Sequence, residues 1–250
     1  MYNYFAEVYD ELMCDVDYKK RTAYLTKLFK KYSTMPTLLL DVACGTGAFS
    51  NEFAKLGVEV IGVDMSEDML AIARENSAAL GTDVLFLRQK AEELDLYGTV
   101  DGAVCCLDSL NHITDYKILC EAISKVSLFL EKDKLFIFDV NTEYKHKEIL
   151  ANNTFIIEKE DVFCTWQNEY DAKNRTTDIV LDFFVRDGEH YNRYSEEFCE
   201  RAYTNEELKN AIQNAGLEIV EIFDDMTELP LNDKSERAIF VTRKLGENIG

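Results

Sequence analysis

The stretch "LLLDVACGTGAFS", residues 38–50, constrains this chain more than any other. Leu38, Leu39, Leu40, Val42 and Ala43 form an apolar run broken only by Asp41, and the run ends in the small-residue turn Cys44-Gly45-Thr46-Gly47. A strand that enters a glycine turn and leaves as a helix is the usual entrance to a nucleotide-type cofactor site in an α/β protein. The exposed amides of such a turn normally attract phosphate. A carboxylate just before it therefore needs an explanation.

From residue 38 to 140 the sequence alternates strand and helix patterns, which predicts a parallel sheet covered on both faces. Strands are expected at 38–43, 58–64, 84–87, 102–107 and 134–140. Between them, residues 48–56 place Phe49, Phe53 and Leu56 at helical spacing, and Ser66 precedes Glu67 and Asp68 as a helix N-cap. Helix 115–130 carries Ile118, Leu119, Ala122, Ile123, Val126 and Leu130 along one face. Residues 154–202 are aromatic and β-branched and are broken at "AKN" and "DGE", which predicts three or four antiparallel strands burying one face. Thr204 and Glu207 then form a capping-box pair, and Gly216 suits the end of that helix. The sequence thus divides into a core, 1–150 and 203–250, and an antiparallel β insertion, 151–202, serving as a lid or an oligomer interface. The core opens with an amphipathic helical arm bearing Tyr2, Tyr4, Phe5, Val8, Tyr9 and Leu12.

A net charge of −20 on 250 residues argues against nucleic-acid or anionic-membrane partners, because phosphate binding needs clustered Lys and Arg. The seven cysteines are odd in number and form no C-x-x-C pair, so they read as reduced core thiols of a cytoplasmic protein. The N-terminus lacks the basic start and apolar core of a signal peptide. No apolar stretch approaches the roughly 20 residues needed to span a bilayer.

The turn itself discriminates among cofactors. A dinucleotide fingerprint wants a third glycine where this chain has Ser50. Asp41 would face a pyrophosphate across a like-charge gap. Asp64, ending the second strand about 20 residues beyond the turn, suits ribose hydroxyls. The site therefore wants a ribose and a cation and shows no preference for phosphate, and S-adenosylmethionine (SAM) meets that description. Three readings stay open on the residues: a methyltransferase, a non-catalytic SAM-binding module, and a nicotinamide-dependent oxidoreductase disfavoured by Ser50 and Asp41.

"LLLDVACGTGAFS" also resembles motif I of class I SAM-dependent methyltransferases, and "VIGVDMSEDMLAIARE" resembles the segment that follows it. The likeness continues through "DGAVCCLDSLNHI", "LFIFDVNTEYK" and "ERAYTNEELKNAIQNAGLEIVEIFDD". With the arm "FAEVYDELMCDVDY", the pattern is similar to small bacterial methyltransferases related to the sugar N-methyltransferases. The resemblance implies a Rossmann-like, seven-stranded, mostly parallel sheet of order 3-2-1-4-5-7-6. It also implies SAM as cofactor and methyl transfer to N or O of a small molecule, and it lacks the N/D-P-P-Y/F stretch of enzymes acting on nucleic acid.

Carried over by motif, Asp41 would meet the methionine ammonium, with Ala43, Cys44, Gly45, Thr46 and Gly47 lining the turn and the two glycines letting backbone approach the cofactor. Asp64 would accept the ribose hydroxyls, Met65 would pack on the adenine and Leu107 would touch the methionine part. Lys90 stands where the family has an acid, leaving the Ala91 amide as the adenine contact. Tyr9, Asp108 and Asn111 are the catalytic candidates, with Asn141, Tyr144 and Arg201 further acceptor-side residues, although an amine acceptor needs no dedicated base. Asn111 and Asn141-Thr142 read as caps or turns as well. His112 and His146 are isolated in sequence and read as surface or loop histidines, and no metal-ligand spacing is present. Trp166 and Phe183-Phe184 read as the packed face of the inserted sheet or as the contact of a homodimer.

Overall fold

A computed structural model describes residues 4–246. Tyr2 of the expected arm lies outside the described residues, as does the side chain of Tyr4. Helices α1 (Tyr4–Leu12) and α2 (Tyr18–Tyr32) precede the alternating run: β1 (Leu38–Val42), α3 (Ala48–Lys55), β2 (Glu59–Asp64), α4 (Glu67–Leu80), β3 (Val84–Arg88), β4 (Gly102–Cys105), α5 (Tyr116–Phe129) and β5 (Leu135–Asn141). Four strands follow, β6 (Thr154–Glu158), β7 (Val162–Asp171), β8 (Thr176–Asp187) and β9 (His190–Arg201), and then α6 (Asn205–Asn214), β10 (Leu217–Asp224) and β11 (Arg237–Lys244).

The main sheet has the order β10-β11-β5-β4-β1-β2-β3. Counting β10 and β11 as its sixth and seventh strands, this is the expected 3-2-1-4-5-7-6. Only β11 runs against its neighbours. The central strands are near-continuous apolar runs because both faces are covered, and β5 is buried along its whole length. On one face Leu119, Ile123 and Val126 of α5 pack with Leu208 and Ile212 of α6. On the other, Leu25, Leu28 and Phe29 of α2 pack with Phe49 and Phe53 of α3.

The single helical arm expected at the N-terminus is two elements. Asp17 accepts a hydrogen bond from the Lys20 amide at 2.8 Å and so starts a new helix, whose apolar face belongs to the core. Only α1 remains an arm. Leu56 and Ile118, expected on buried stripes, are exposed: Leu56 caps the end of α3, and Ile118 sits at the edge of the α5 stripe.

The inserted strands form a separate antiparallel meander, β6-β7-β8-β9. Its apolar face, with Val162, Cys164, Ile179, Leu181 and Phe183, packs against Val8 and Leu12 of α1. Phe5 meets Phe183 at a centroid distance of 6.2 Å. The far end of β9 lies against the short 3₁₀ turn Ser109–His112 that follows β4. That junction brings the insertion to the carboxyl ends of the parallel strands. No helix among the described residues is long and apolar enough to cross a membrane.

Chain return into the core is marked by the capping box. Thr204 Oγ1 accepts from the Glu207 amide at 3.1 Å, and Glu207 accepts from the Thr204 amide at 2.9 Å. Thr204→Ala is expected to cost about 1 kcal/mol of unfolding free energy, measured by urea denaturation, without altering cofactor affinity.

Candidate active site at the switch point

β1 and β4 are neighbours from which the chain departs in opposite directions, so their carboxyl ends flank the crevice where an open α/β sheet binds ligands. The two loops there are conformationally strained. Ala43 and Gly45 after β1 have φ of 55° and 54°, and Leu107 and Asp108 after β4 have 55° and 52°. Non-glycine residues persist in the left-handed region only where their surroundings hold them.

The two turn glycines have different tasks. A Cβ on Gly45 would meet nothing within 4 Å, so open space lies in front of the turn. A Cβ on Gly47 would lie 2.8 Å from Phe86 Cζ, and its φ is 76°, so packing of the turn on β3 also calls for glycine there. The turn is also clasped from above. Thr46 Oγ1 donates to Asp10 of α1 at 2.6 Å, and Asn76 Nδ2 donates to the other Asp10 oxygen at 2.9 Å.

Asp41 is 2% exposed, and Ser50 Oγ donates to its Oδ2 at 2.5 Å. The serine that spoils the dinucleotide fingerprint is thus the partner of the misfit carboxylate. Burial, with the charge of Asp64 adding to it and the Ser50 bond opposing it, pushes the Asp41 carboxyl up to about 7. Asp64 Oδ2 accepts from the Gly45 amide and Oδ1 from the Ser66 amide, each at 2.9 Å. Each oxygen retains a lone pair for a further donor. A crevice at the mouth of the turn is lined by Tyr9, Tyr18, Asp41, Gly45, Phe49 and Leu107 among others. Met65, 63% exposed beside Asp64, offers an apolar surface. Ala91 opens a 3₁₀ turn, while Lys90 turns to Glu93 at 3.1 Å.

The β4 loop is held by groups distant in sequence. The Leu107 and Asp108 amides donate to the Asp139 carboxylate at 2.9 and 2.8 Å. Arg237 on β11 donates to Asp139 and, at 2.5 Å, to Asp108. Burial pushes the Asp108 carboxyl up, but Arg237, Lys145 and His112 outweigh it and hold it down at about 2. Asp108 is thus an ionised, salt-bridged group with little basicity.

Glu200, from β9, completes the cluster. Its carboxyl is buried, lies 3.6 Å from His112 Nε2 and 3.7 Å from His146 Nε2, and accepts from Asn141 Nδ2 at 3.3 Å. Burial first, then the charge of Asp108, raises it to about 8. His146 is wholly buried, against the surface or loop setting expected for it, and burial lowers its imidazole to about 4. Asp108, His112 and Glu200 each bring a ligand-type atom within 4.8 Å of the others. Arg237 and Lys145 already supply positive charge there, which opposes a divalent cation.

Of the catalytic candidates, Tyr9 is brought to the cavity, and burial raises its phenol well above the ordinary range, so it is a donor and not a base. Asn111 is not free for an acceptor: it is fully buried, its Nδ2 donates to the Asn141 and Arg201 carbonyls, and its Oδ1 accepts from the Asn141 amide. Arg201 is likewise committed, to Glu207 and the Thr114 carbonyl. Asn141 joins the cluster through Glu200 and Lys145, and Tyr144 stands at the head of the π-helical turn Lys145–Leu150. Arg237, Asp139, Glu200 and the pairing of His112 with Glu200 carried no linear signal.

The fold and this crevice define a class I SAM-dependent methyltransferase. Residues 39–130 match the family Methyltransf_25, a methyltransferase domain. The chain is 31% identical to YqeM of Bacillus subtilis, which bears a methyltransferase name, over 98% of this chain and 97% of that one. A crystal structure of a SAM-dependent methyltransferase from Clostridium acetobutylicum matches with a TM-score of 0.89 at 32% identity, covering 98% of this chain and 99% of the other. SAM-bound CalS10 of Micromonospora echinaspora, an amino pentose methyltransferase, shares the fold with a TM-score of 0.75 at 20% identity over 92% and 93% of the two chains. The chain belongs to this family of SAM-dependent methyltransferases: it is an enzyme, and SAM is its methyl donor.

Because Asp41 is protonated below its raised pKa of about 7 and anionic above it, affinity for the cationic amino group of S-adenosylhomocysteine (SAH) is expected to rise between pH 6 and pH 8. Calorimetric titrations check this. In Asp41→Asn, which keeps the Ser50 bond but cannot ionise, the rise should be absent.

Proposed function

We propose that the enzyme methylates a nitrogen or oxygen atom of a small-molecule acceptor by in-line displacement, the acceptor sitting between the β4 loop and the inserted sheet. The observation that carries this reading is the composite mouth: the cavity at motif I ends at Leu107 and Ser109, beside a cluster to which β9 contributes a buried carboxyl. An amine is the acceptor favoured here, in keeping with the amino pentose substrate class of CalS10. A chain with a net charge of −20 repels a nucleic-acid acceptor. In this reading residues 151–202 are the lid and acceptor wall of a core formed by 1–150 and 203–250, in a cytoplasmic protein.

Bound in the crevice, SAM supplies an already activated methyl group on positively charged sulfur. The residues of this chain hold and align. Asp64 accepts the ribose hydroxyls with its remaining lone pairs, Asp41 faces the amino group, and the strained turn Ala43-Cys44-Gly45-Thr46-Gly47 sets the backbone against the methionine portion. Met65 and the Ala91 amide take the adenine, and Leu107 packs on the methionine chain. Tyr9, on an arm anchored to the turn through Asp10, closes the cavity and excludes water. We assign self-association to the outer face of the inserted sheet, where Phe163 and Phe184 pair at 6.3 Å beside exposed Ile156. A monomer at micromolar concentration in equilibrium sedimentation would exclude that contact.

Three measurements test the reading. SAH should raise the melting temperature where NAD does not. Asp64→Ala should weaken SAH binding about 100-fold, the worth of two charge-assisted hydrogen bonds at roughly 1.5 kcal/mol each; unchanged affinity would show the ribose contact to be misplaced. A homocysteine-release screen over amines and hydroxy metabolites should find an acceptor. No turnover across the panel would count against a small-molecule acceptor.

A further inference from the structure

We propose that Glu200, carried into the cleft by the last strand of the inserted sheet, is a positioning residue for methyl transfer: it orients His112 at the acceptor mouth. The inference rests on the acceptor placement proposed above and assigns a task to a residue that motif I does not contain.

The geometry separates the two members of the pair. His112 lies on the 3₁₀ turn after β4 and its side chain is 45% exposed, whereas the Glu200 side chain is 5% exposed. The imidazole is open to solvent within electrostatic reach of Asp108 and Asp64, and the buried carboxyl can act only through it. Two residues of β9 spaced by two, and hence on one face of the strand, hold the ring. Phe198 packs on it at a centroid distance of 5.0 Å, and Glu200 Oε1 lies 3.6 Å from Nε2. The second Glu200 oxygen is held by Asn141 Nδ2 and faces His146 Nε2, a buried nitrogen without a hydrogen-bond partner. His146 Nδ1 is in turn fixed by Thr177 Oγ1 at 2.8 Å, and Thr177 is the cross-strand partner of Glu200.

A structural carboxyl this deeply buried would be expected to pair with a cation. Arg237 is instead engaged by Asp108 and Asp139, and Lys145 donates to Asn141 at 3.0 Å. Facing Glu200 are Asp108 and His112 from the β4 loop, Asn141, Lys145 and His146 from β5 and the π-helical turn, and Arg237 from β11. Burial first, then the charge of Asp108, leaves its proton in place until about pH 8 against the opposing Asn141, Lys145 and Arg237. As the acceptor's lone pair forms the bond to the methyl carbon, the carbon–sulfur electron pair goes to sulfur and the acceptor's proton goes to His112. The exposed imidazole then passes that proton to solvent, while buried Glu200 keeps its own and holds the ring in place.

The chain has three histidines, so imidazole resonances can be assigned with single substitutions. In the full-length protein with SAH bound, the His112 signal should show a step near pH 8 as Glu200 ionises. That step should vanish in Glu200→Gln and return, displaced, in Glu200→Asp. With the acceptor found by homocysteine release, Glu200→Gln should lower kcat about tenfold or more while SAH affinity holds, and Glu200→Asp should recover part of the loss. A His112 titration unchanged by Glu200→Gln, in protein that still binds SAH, overturns the proposal. Failure of the acceptor screen would overturn the small-molecule reading alone, since the titration needs no acceptor.

Discussion

The site is organised around a carboxylate taken out of water at the end of the central strand. Asp41 is buried where two strands diverge, and its only side-chain bond among the described residues comes from Ser50 in the first turn of α3. An unpaired buried carboxylate is costly, and the protein meets the cost by letting Asp41 hold a proton near neutrality. A cationic ligand reverses that balance. On the proposed placement of SAM, this buried carboxyl favours a cofactor carrying positive charge and no phosphate.

A second carboxylate, Asp139, does the corresponding work on the neighbouring loop. Two consecutive left-handed residues, Leu107 and Asp108, would not hold their conformation alone. Their amides end on Asp139, and Arg237 ties Asp139 to Asp108. The antiparallel last strand thus contributes directly to the crevice. It brings the arginine that keeps Asp108 ionised and the loop in place.

Neither the arm nor the inserted sheet is a free appendage. The apolar side of α1 is shared with β7 and β8, and its Asp10 reaches the motif I turn. Strand β9 crosses to the β4 loop and leaves Glu200 there, next to His112. The motif I turn and the β4 loop are therefore joined through α1 and the insertion, two segments far apart in the chain.

Much of the fold was legible in the sequence because its signals are local. Strand and helix periods, the Ser66 cap and the Thr204–Glu207 box depend on residues within a few positions of one another, and the structure reproduces them. Asp41, Asp64 and the glycine turn were legible too, since strand ends fix where such residues point. What the sequence by itself determined was the order of elements, the cofactor class and the strand ends at which Asp41 and Asp64 stand. Only the tertiary structure decided that Ser50 bonds Asp41, that Gly47 answers to Phe86, that Asn111 is spent on backbone, and that Glu200, His112 and His146 meet. Those outcomes depend on contacts between segments far apart in the chain. Burial and charge partners, which set the chemistry of a titratable group, exist only once the segments have packed.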